Sequence, residues 1–317
     1  MKKIFLALAL MLCLTACTPK ANDANANSKS NSQRQTQDTG KKKVTVTTSF
    51  LYDMTKTLAG DFVDVDLIIP AGEDPHLYIP KTNDAKKIEK ADLVLFHGLH
   101  FEGKMVDILE KSGVNLSKNF PKEKLGEMDQ DGEIIVDPHF WFDISLYKMA
   151  TENAAKALSD LVPDHKAEIE ENLKNYLAKL DELDEYNKKK LDEIPAAHRY
   201  LITPHDAFNY FSRAYNIKVV APQGVSTDSE VANKDIEKTA NFIVEKKVPA
   251  IFAESTTDPA RMEKLKELCA AKGFDVKVIS GEGHELFSDS LAPEGQAGDN
   301  FIDMYKHNID LIVDNLK

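Results

Sequence analysis

Three histidines share a local pattern that favours a metal site. His76, His139 and His205 each follow a proline directly, and each comes after a predicted strand, at once or after a short loop. Proline fixes its own φ and pushes the preceding residue towards extended geometry, so the chain is stiffened where each imidazole must be aimed. Three imidazoles delivered to strand ends are typical of a site for a divalent transition metal.

A carboxylate is expected to complete this site, because three neutral imidazoles leave the charge of a divalent ion uncompensated. Two acidic residues near predicted strand ends are candidates, namely Glu254 and Asp289. The pattern alone does not choose between them. His284 stands five residues before Asp289 and is a candidate for tuning the site from outside it.

Two similar sets of alternating strands and helices must position these side chains. Short β-branched runs predict strands at residues 44–47, 63–69, 93–96 and 134–136, and then at 200–202, 218–220, 250–252 and 276–279. Amphipathic stretches predict helices at residues 50–59, 84–90, 103–111 and 145–161, and then at 207–215, 233–246 and 258–272. This order predicts an α/β fold with two βα lobes and mostly parallel sheets, in which ligands bind beyond the carboxyl ends of the strands.

A long helix is predicted between the two lobes. Residues 164–194 contain no glycine or proline, and their apolar side chains recur every three or four positions. A helix of about thirty residues is roughly 45 Å long, which is enough to run along both lobes. The alternative interpretation is a coiled-coil segment for dimerisation, since Glu and Lys flank the apolar stripe.

The N-terminus predicts export and lipid attachment. Lys2 and Lys3 precede an apolar run at residues 4–14, which is too short to span a bilayer and is typical of a signal peptide. The run ends in Leu-Thr-Ala-Cys, which resembles the lipobox of bacterial lipoproteins and implies acylation of Cys17. The following residues are polar and predict a disordered tether. The predicted organisation is a signal peptide (1–16), a lipidated cysteine and tether (17–43), a first lobe (44–162), a linking helix (163–195) and a second lobe (196–317).

Composition narrows the classes of partner. The net charge of −12 argues against nucleic acid, which requires a clustered basic surface. Only three cysteines occur in 317 residues, which excludes a disulfide framework.

Several motifs together resemble the TroA-like class III (cluster A-I) metal-binding lipoproteins of manganese and zinc ABC transporters. The motifs are Pro-Ala-Gly-Glu-Asp-Pro-His (70–76), Asp-Pro-His-Phe-Trp-Phe-Asp (137–143), Thr-Pro-His-Asp-Ala-Phe (203–208), Gln-Gly-Val-Ser-Thr (223–227), Phe-Ala-Glu-Ser (252–255), Leu-Phe-Ser-Asp-Ser-Leu (286–291) and Met-Tyr-Lys-His-Asn (304–308).

This resemblance implies a ligand set and a function. It implies that His76 and His139 from the first lobe and His205 and Asp289 from the second bind one ion in the cleft between the lobes, with Glu254 as an outer partner. It also implies two lobes joined by one long rigid helix. The expected protein is a monomeric, extracytoplasmic solute-binding lipoprotein, which is anchored to the bacterial cell membrane and delivers manganese or zinc to an ABC permease.

The identity of the ion stays open. The zinc-specific branch usually carries a histidine-rich acidic loop before the second ligand, and residues 119–133 contain no histidine. Three imidazoles and one carboxylate would nevertheless bind zinc well on chemical grounds.

Two other functions are compatible with parts of the pattern. If the carboxylate acted as a base and not as a ligand, three histidines would suit a zinc-dependent hydrolase or lyase. The sequence has no His-Glu-x-x-His helix and no Gly-x-Ser-x-Gly elbow, which favours a carrier. A lipid-tethered surface adhesin would leave the three Pro-His pairs unexplained.

Overall fold

The computed structural model of the chain describes residues 40–130, 133–228 and 230–317. Residues 40–317 form one compact unit. The predicted signal peptide and Cys17 lie outside the described residues. Within the described part of the chain, no helix is long and apolar enough to cross a bilayer.

The N-terminal half is built on a parallel sheet of four strands in the order β2-β1-β3-β4. Its elements are β1 Lys42–Val46, α1 Ser49–Ala59, β2 Val63–Leu67, α2 Thr82–Lys90, β3 Leu93–Phe96, α3 Val106–Ser112, β4 Val114–Asn115 and, after a hairpin, α4 Ile144–Leu161. Val44 of the central strand β1 pairs with Val65 on one side and Leu93 on the other. The parallel arrangement predicted for this half is confirmed for β1, β2 and β3.

The strand predicted at residues 134–136 exists but pairs differently from the others. It forms β6 Glu133–Val136, which runs antiparallel to β5 Glu127–Gln130, an element that the sequence pattern did not predict. Neighbouring strands joined by a short turn pair locally without a crossover helix. The hairpin therefore stands apart from the parallel sheet.

A helix of 26 residues, α5 Lys166–Leu191, connects the two halves. It is roughly 39 Å long at 1.5 Å per residue. Its buried side chains include Ile169, Tyr176, Leu180 and Leu183, and the helix packs against α1 and α4 of the first half as well as the C-terminal helix. Because the apolar stripe is buried within the chain, the structure favours a connecting helix over the coiled-coil alternative.

The C-terminal half repeats the βα order with shorter strands. Its elements are β7 Tyr200–Ile202, α6 Asn209–Tyr215, β8 Lys218–Val220, α7 Asn233–Lys246, β9 Ala250–Phe252, α8 Ala260–Ala271, β10 Lys277–Ile279 and α9 Phe301–Leu316. The pairs β7 with β8 and β9 with β10 are parallel. Helix α9 was not predicted, although its buried residues recur every three or four positions and the side chain of Asn300 caps its first turn.

One apolar core extends through both halves. Aromatic rings join them: Tyr147 stacks on Phe301 with ring centroids 3.7 Å apart, and Phe142 stacks on Phe208 at 4.4 Å. All four side chains are fully buried. The two halves are therefore packed together by side chains as well as joined by α5.

Helix α9 fixes the segment that carries Asp289. The buried side chain of Asn308 accepts a hydrogen bond from the backbone N–H of Phe287 at 2.9 Å and donates one to its carbonyl at 2.8 Å. One side chain thus satisfies both backbone groups of a residue in this irregular segment.

We expect Asn308→Ala to lower the free energy of unfolding by about 2–4 kcal/mol, because it leaves two backbone groups without partners. Denaturant unfolding measures this change. The control is Asn241→Ala on the exposed face of α7, which should change stability by less than about 0.5 kcal/mol. If the two substitutions changed stability equally, the hydrogen bonds of Asn308 to the backbone of Phe287 would not contribute measurably to stability.

Candidate metal centre

The structure brings His76, His139, His205 and Asp289 together. One ligand atom from each lies within 4.8 Å of the others. The Nε2 atoms of His76 and His139 are 3.3 Å apart, and the carboxylate of Asp289 places one oxygen 3.2 Å from Nε2 of His139 and the other 3.2 Å from Nε2 of His205. Three of the side chains are fully buried, and His76 is 5% exposed. Of the two carboxylates that the pattern left open, Asp289 faces the centre.

The four side chains come from strand ends in both halves. His76 lies in the loop after β2, His139 follows β6, and His205 follows β7. Asp289 lies three residues beyond Leu286, which pairs with Glu254 in an isolated parallel bridge after β9. The centre is therefore at the carboxyl ends of the strands, as expected for a ligand site in an α/β fold.

The residue two positions before each histidine also binds that histidine. The carboxylates of Asp74 and Asp137 accept hydrogen bonds from the backbone N–H of His76 and His139, both at 2.9 Å. The third motif has Thr203 at this position, and its hydroxyl donates to the carbonyl of His205 at 2.9 Å. These contacts are local turns of the kind that Asp and Thr side chains favour. Sequence reasoning missed these residues, although the repeated Asp-Pro-His was a visible signal.

Carboxylates outside the centre orient two of the imidazoles. Oδ1 of Asp137 lies 2.7 Å from Nδ1 of His139, and Oε2 of Glu254 contacts Nδ1 of His205. Glu254 also accepts a hydrogen bond from the hydroxyl of Ser288 at 3.1 Å. Occupying Nδ1 in this way leaves Nε2 of each ring directed at the centre.

His284 is not brought to the centre. Its side chain is exposed, and its Nδ1 atom lies 3.2 Å from the carbonyl of Glu282. No contact among the described residues joins it to the four. His97 is fully buried, and its Nε2 atom lies 2.7 Å from the hydroxyl of Thr48.

Three of the buried atoms that face the centre make no hydrogen bond within the described part of the protein. Among the described residues, Nε2 of His205 and both carboxylate oxygens of Asp289 are buried without a hydrogen bond. Such groups cost on the order of 1–3 kcal/mol each unless something else satisfies them. Three nitrogens and one oxygen are a suitable donor set for a divalent transition metal. Ligands held at about 2.0–2.1 Å around a tetrahedral ion lie about 3.3 Å apart, close to the three separations of 3.2–3.3 Å between His76, His139, His205 and Asp289 given above.

The charges of the cluster favour a cation beside Asp289. Burial alone would lower the pKa of His139, but Asp137 and Asp289 outweigh it and raise that pKa to about 9. In the same way, Glu254 and Asp289 overcome burial and raise the pKa of His205 well above its usual value. Burial disfavours the charged form of Asp289, yet His205 and His139 hold its pKa well below the ordinary range. The centre therefore attracts positive charge, either as protons or as a metal ion.

A cavity of about 240 Å³ reaches the centre at His76. Its lining also includes His100, Pro138, Val225 and Asp228. On the inner side, the ring of Phe101 packs against His76 and His139 with centroids 5.1 and 6.1 Å apart. The ring of Phe101 thus borders two of the histidines, and the cavity meets the centre at His76.

Comparison with known proteins identifies related sequences and structures. The family model described as "ZnuA: Zinc-uptake complex component A periplasmic" matches residues 44–315. The zinc-binding protein TroA of Treponema pallidum is 36% identical over 86% of this chain and 88% of its own length. The manganese-binding lipoprotein MntA of Bacillus subtilis is 35% identical over 87% and 90%.

Solved structures agree with these matches. The structure of T. pallidum TroA superposes with a TM-score of 0.82, covering 87% of this chain and 99% of that one. A second TroA structure, studied for its metal-binding specificity, is 60% identical, with a TM-score of 0.87 and coverage of 87% and 100%. The resemblance and the two-lobed α/β fold predicted from the motifs are therefore confirmed. The chain belongs to the ZnuA family and has a TroA-like fold.

Proposed function

We propose that this protein is the extracytoplasmic solute-binding component of an ABC importer, that it captures one manganese or zinc ion, and that it delivers the ion to a membrane permease. The observation that carries the proposal is the buried set of His76, His139, His205 and Asp289 with donor atoms facing one point. His76 and His139 lie before the linking helix and His205 and Asp289 lie after it. An ion bound by all four would hold the two lobes together.

The donor set supports a carrier more than an enzyme. A catalytic zinc site typically keeps one position for water beside three protein ligands. Both carboxylate oxygens of Asp289 lie 3.2 Å from a ligand nitrogen, so this residue serves as the fourth ligand. A tetrahedral ion held by all four side chains has no position left at which to activate water.

The ion itself is proposed as manganese or zinc. The relatives named above bind zinc in one case and manganese in the other. A site of this donor type follows the usual order of divalent affinities, so zinc should bind more tightly than manganese in purified protein. Selection in the cell would then depend on the supply of each ion.

Cys17 is proposed as the lipid anchor. SsaB of Streptococcus sanguinis, named as a metal ABC transporter substrate-binding lipoprotein, is 32% identical over 100% of this chain and 99% of its own length. The proposal places residues 1–16 in a cleaved signal peptide and residues 17–43 in a tether. The lobes at 44–162 and 196–317, with the helix at 163–195, would then act outside the membrane as a monomer.

Asp289→Asn tests the ligand set. It keeps the volume of the side chain but removes its charge, and we expect zinc affinity to fall at least about 100-fold, since even outer partners of metal ligands contribute 10- to 100-fold. The fluorescence of Trp141, the one tryptophan of the chain, can follow the titration because its ring lies 5.3 Å from that of His139.

The matched control is Asp160→Asn, an exposed residue of α4, which should bind zinc as the unaltered protein does. Wild-type affinity in Asp289→Asn would remove Asp289 from the ligand set. Metal-dependent hydrolysis of ester substrates that disappears in this variant would contradict the carrier function.

Metal affinity should rise with pH. The pKa of His139 is raised to about 9, so its ring is protonated at neutral pH and a metal must displace that proton. Each unit of falling pH below about 9 should therefore weaken zinc binding about tenfold for each proton displaced. Chelator competition at several pH values measures the slope, and calorimetry in different buffers counts the protons. Equal affinities at acidic and alkaline pH would show that no proton is exchanged.

Cys17→Ser tests membrane attachment. In a bacterial host that processes lipoproteins, the variant should move from the membrane fraction to the soluble extracytoplasmic fraction, because position 17 no longer carries a thiol to be acylated. The control is Cys269→Ser, which alters a buried thiol of the folded part and should leave the protein with the membrane. Retention of the Cys17 variant in the membrane would rule out this anchor.

A further inference from the structure

Residues 223–227 connect the loops of two candidate ligands. Gln223 pairs with His205 in an isolated parallel bridge, next to the ligand's own backbone. The amide of Gln223 donates a hydrogen bond to the carbonyl of Thr227 at 3.0 Å, and its carbonyl oxygen contacts the guanidinium of Arg261. This segment, which the sequence analysis recorded only as a motif, is therefore fixed to the C-terminal half at the position of His205.

The far end of the segment reaches the N-terminal half. The hydroxyl of Thr227 donates a hydrogen bond of 2.6 Å to Oδ2 of Asp74, 153 positions away in the sequence. The other oxygen of the same carboxylate accepts the backbone N–H of His76 at 2.9 Å. Thr227 is 6% exposed, so water competes little for this contact. Asp74 thus joins the loop of His76 to the opposite half.

His76 differs from the other two histidines in how it is held. Carboxylates contact Nδ1 of His139 and His205 and fix their rings. Asp74 instead holds His76 through its backbone. His76 also lines the access cavity together with Val225 and Ser226 of the segment. Among the described residues that line this cavity, His76 is the one candidate ligand, so its loop lies where the centre meets the cavity.

We propose that the hydrogen bond between Thr227 and Asp74 is a latch, which holds the loop of His76 against the C-terminal half and sets the rate at which the ion leaves. This inference rests on the proposed metal-binding function. It assigns Thr227 and Asp74 as positioning residues, since neither of them faces the centre as a ligand. Breaking the latch frees the loop of one ligand while the other three stay in place.

Thr227→Val tests the latch. It removes the hydroxyl with little change in volume, and we expect zinc to dissociate about tenfold faster, the contribution typical of a hydrogen bond to a charged group. Thr227→Ser keeps the hydroxyl and should restore the rate to within about twofold of the unaltered protein. The dissociation rate is measured by stopped-flow transfer of zinc from the zinc-loaded full-length protein to a chromogenic chelator.

The matched control is Thr239→Val in α7, where the hydroxyl bonds only within its own helix, to the carbonyl of Asp235. This variant should release zinc at the wild-type rate. If Thr227→Val releases zinc no faster than Thr239→Val, the latch is refuted. A lower melting temperature of the metal-free protein with an unchanged zinc dissociation rate would also refute it, because that result describes a purely structural contact.

Asp74→Asn provides a second measurement should Thr227→Val fail to fold. The amide keeps one acceptor oxygen in place of two, so this variant should also accelerate release. If Thr227→Val folds, the effects in the double variant should not add fully, because both substitutions remove the hydrogen bond between Thr227 and Asp74, while only Asp74→Asn also alters the acceptor of the His76 backbone N–H. Additive effects would refute the latch. Failure of the unaltered protein to load zinc at all would instead overturn the proposed function, so the two failures are distinguishable.

Discussion

The structure depends on keeping three imidazoles and one carboxylate away from water with their donor atoms facing one point. His139, His205 and Asp289 are fully buried, and the inward atoms of the last two make no hydrogen bond with any described residue of the protein. Polar atoms in this state are stable only if a ligand satisfies them or if the surrounding fold compensates for the cost. The βα architecture brings these groups to the carboxyl ends of the strands: His139 and His205 follow strands closely, whereas His76 and Asp289 lie in longer connections after strands.

Around these donors lies a second set of polar contacts that orients the rings of His139 and His205. Asp137 and Glu254 hold Nδ1 of His139 and His205, and Ser288 in turn holds Glu254. The indole N–H of Trp141 donates to the carbonyl of Ser288 at 2.9 Å, which connects the residues that follow the hairpin to the segment that carries Asp289. Orientation of this kind matters because a metal ion tolerates small errors in distance but loses affinity when its ligands rotate away.

The sequence predicted the residues of the candidate metal centre better than the helices, strand pairings and hydrogen bonds that hold them in place. The Pro-His pairs predicted three donor residues, because the restriction that proline places on the backbone is known from the residue type alone. The choice of Asp289 over Glu254 needed the family resemblance, since both follow strands and only the tertiary structure shows which one faces inwards. Helix α9 was missed although its periodicity was present, and the antiparallel pairing of β6 was missed because a single short strand does not reveal the direction of its partner. Contacts between residues 153 positions apart, such as that of Thr227 with its partner carboxylate, have no local signal at all.

The aromatic packing between the halves makes each half depend on the other for its stability. Phe142 and Tyr147 precede the linking helix, whereas their stacking partners Phe208 and Phe301 follow it. A fragment cut within the helix would expose these ring faces to solvent, and burial of such faces is a large part of what stabilises a small domain. Each half is therefore a poor candidate for independent expression or for recombination with a distant relative. Chimeric proteins built from relatives with this fold should therefore keep both partners of each stacked aromatic pair from the same parent. A crossover point within the linking helix would separate these partners.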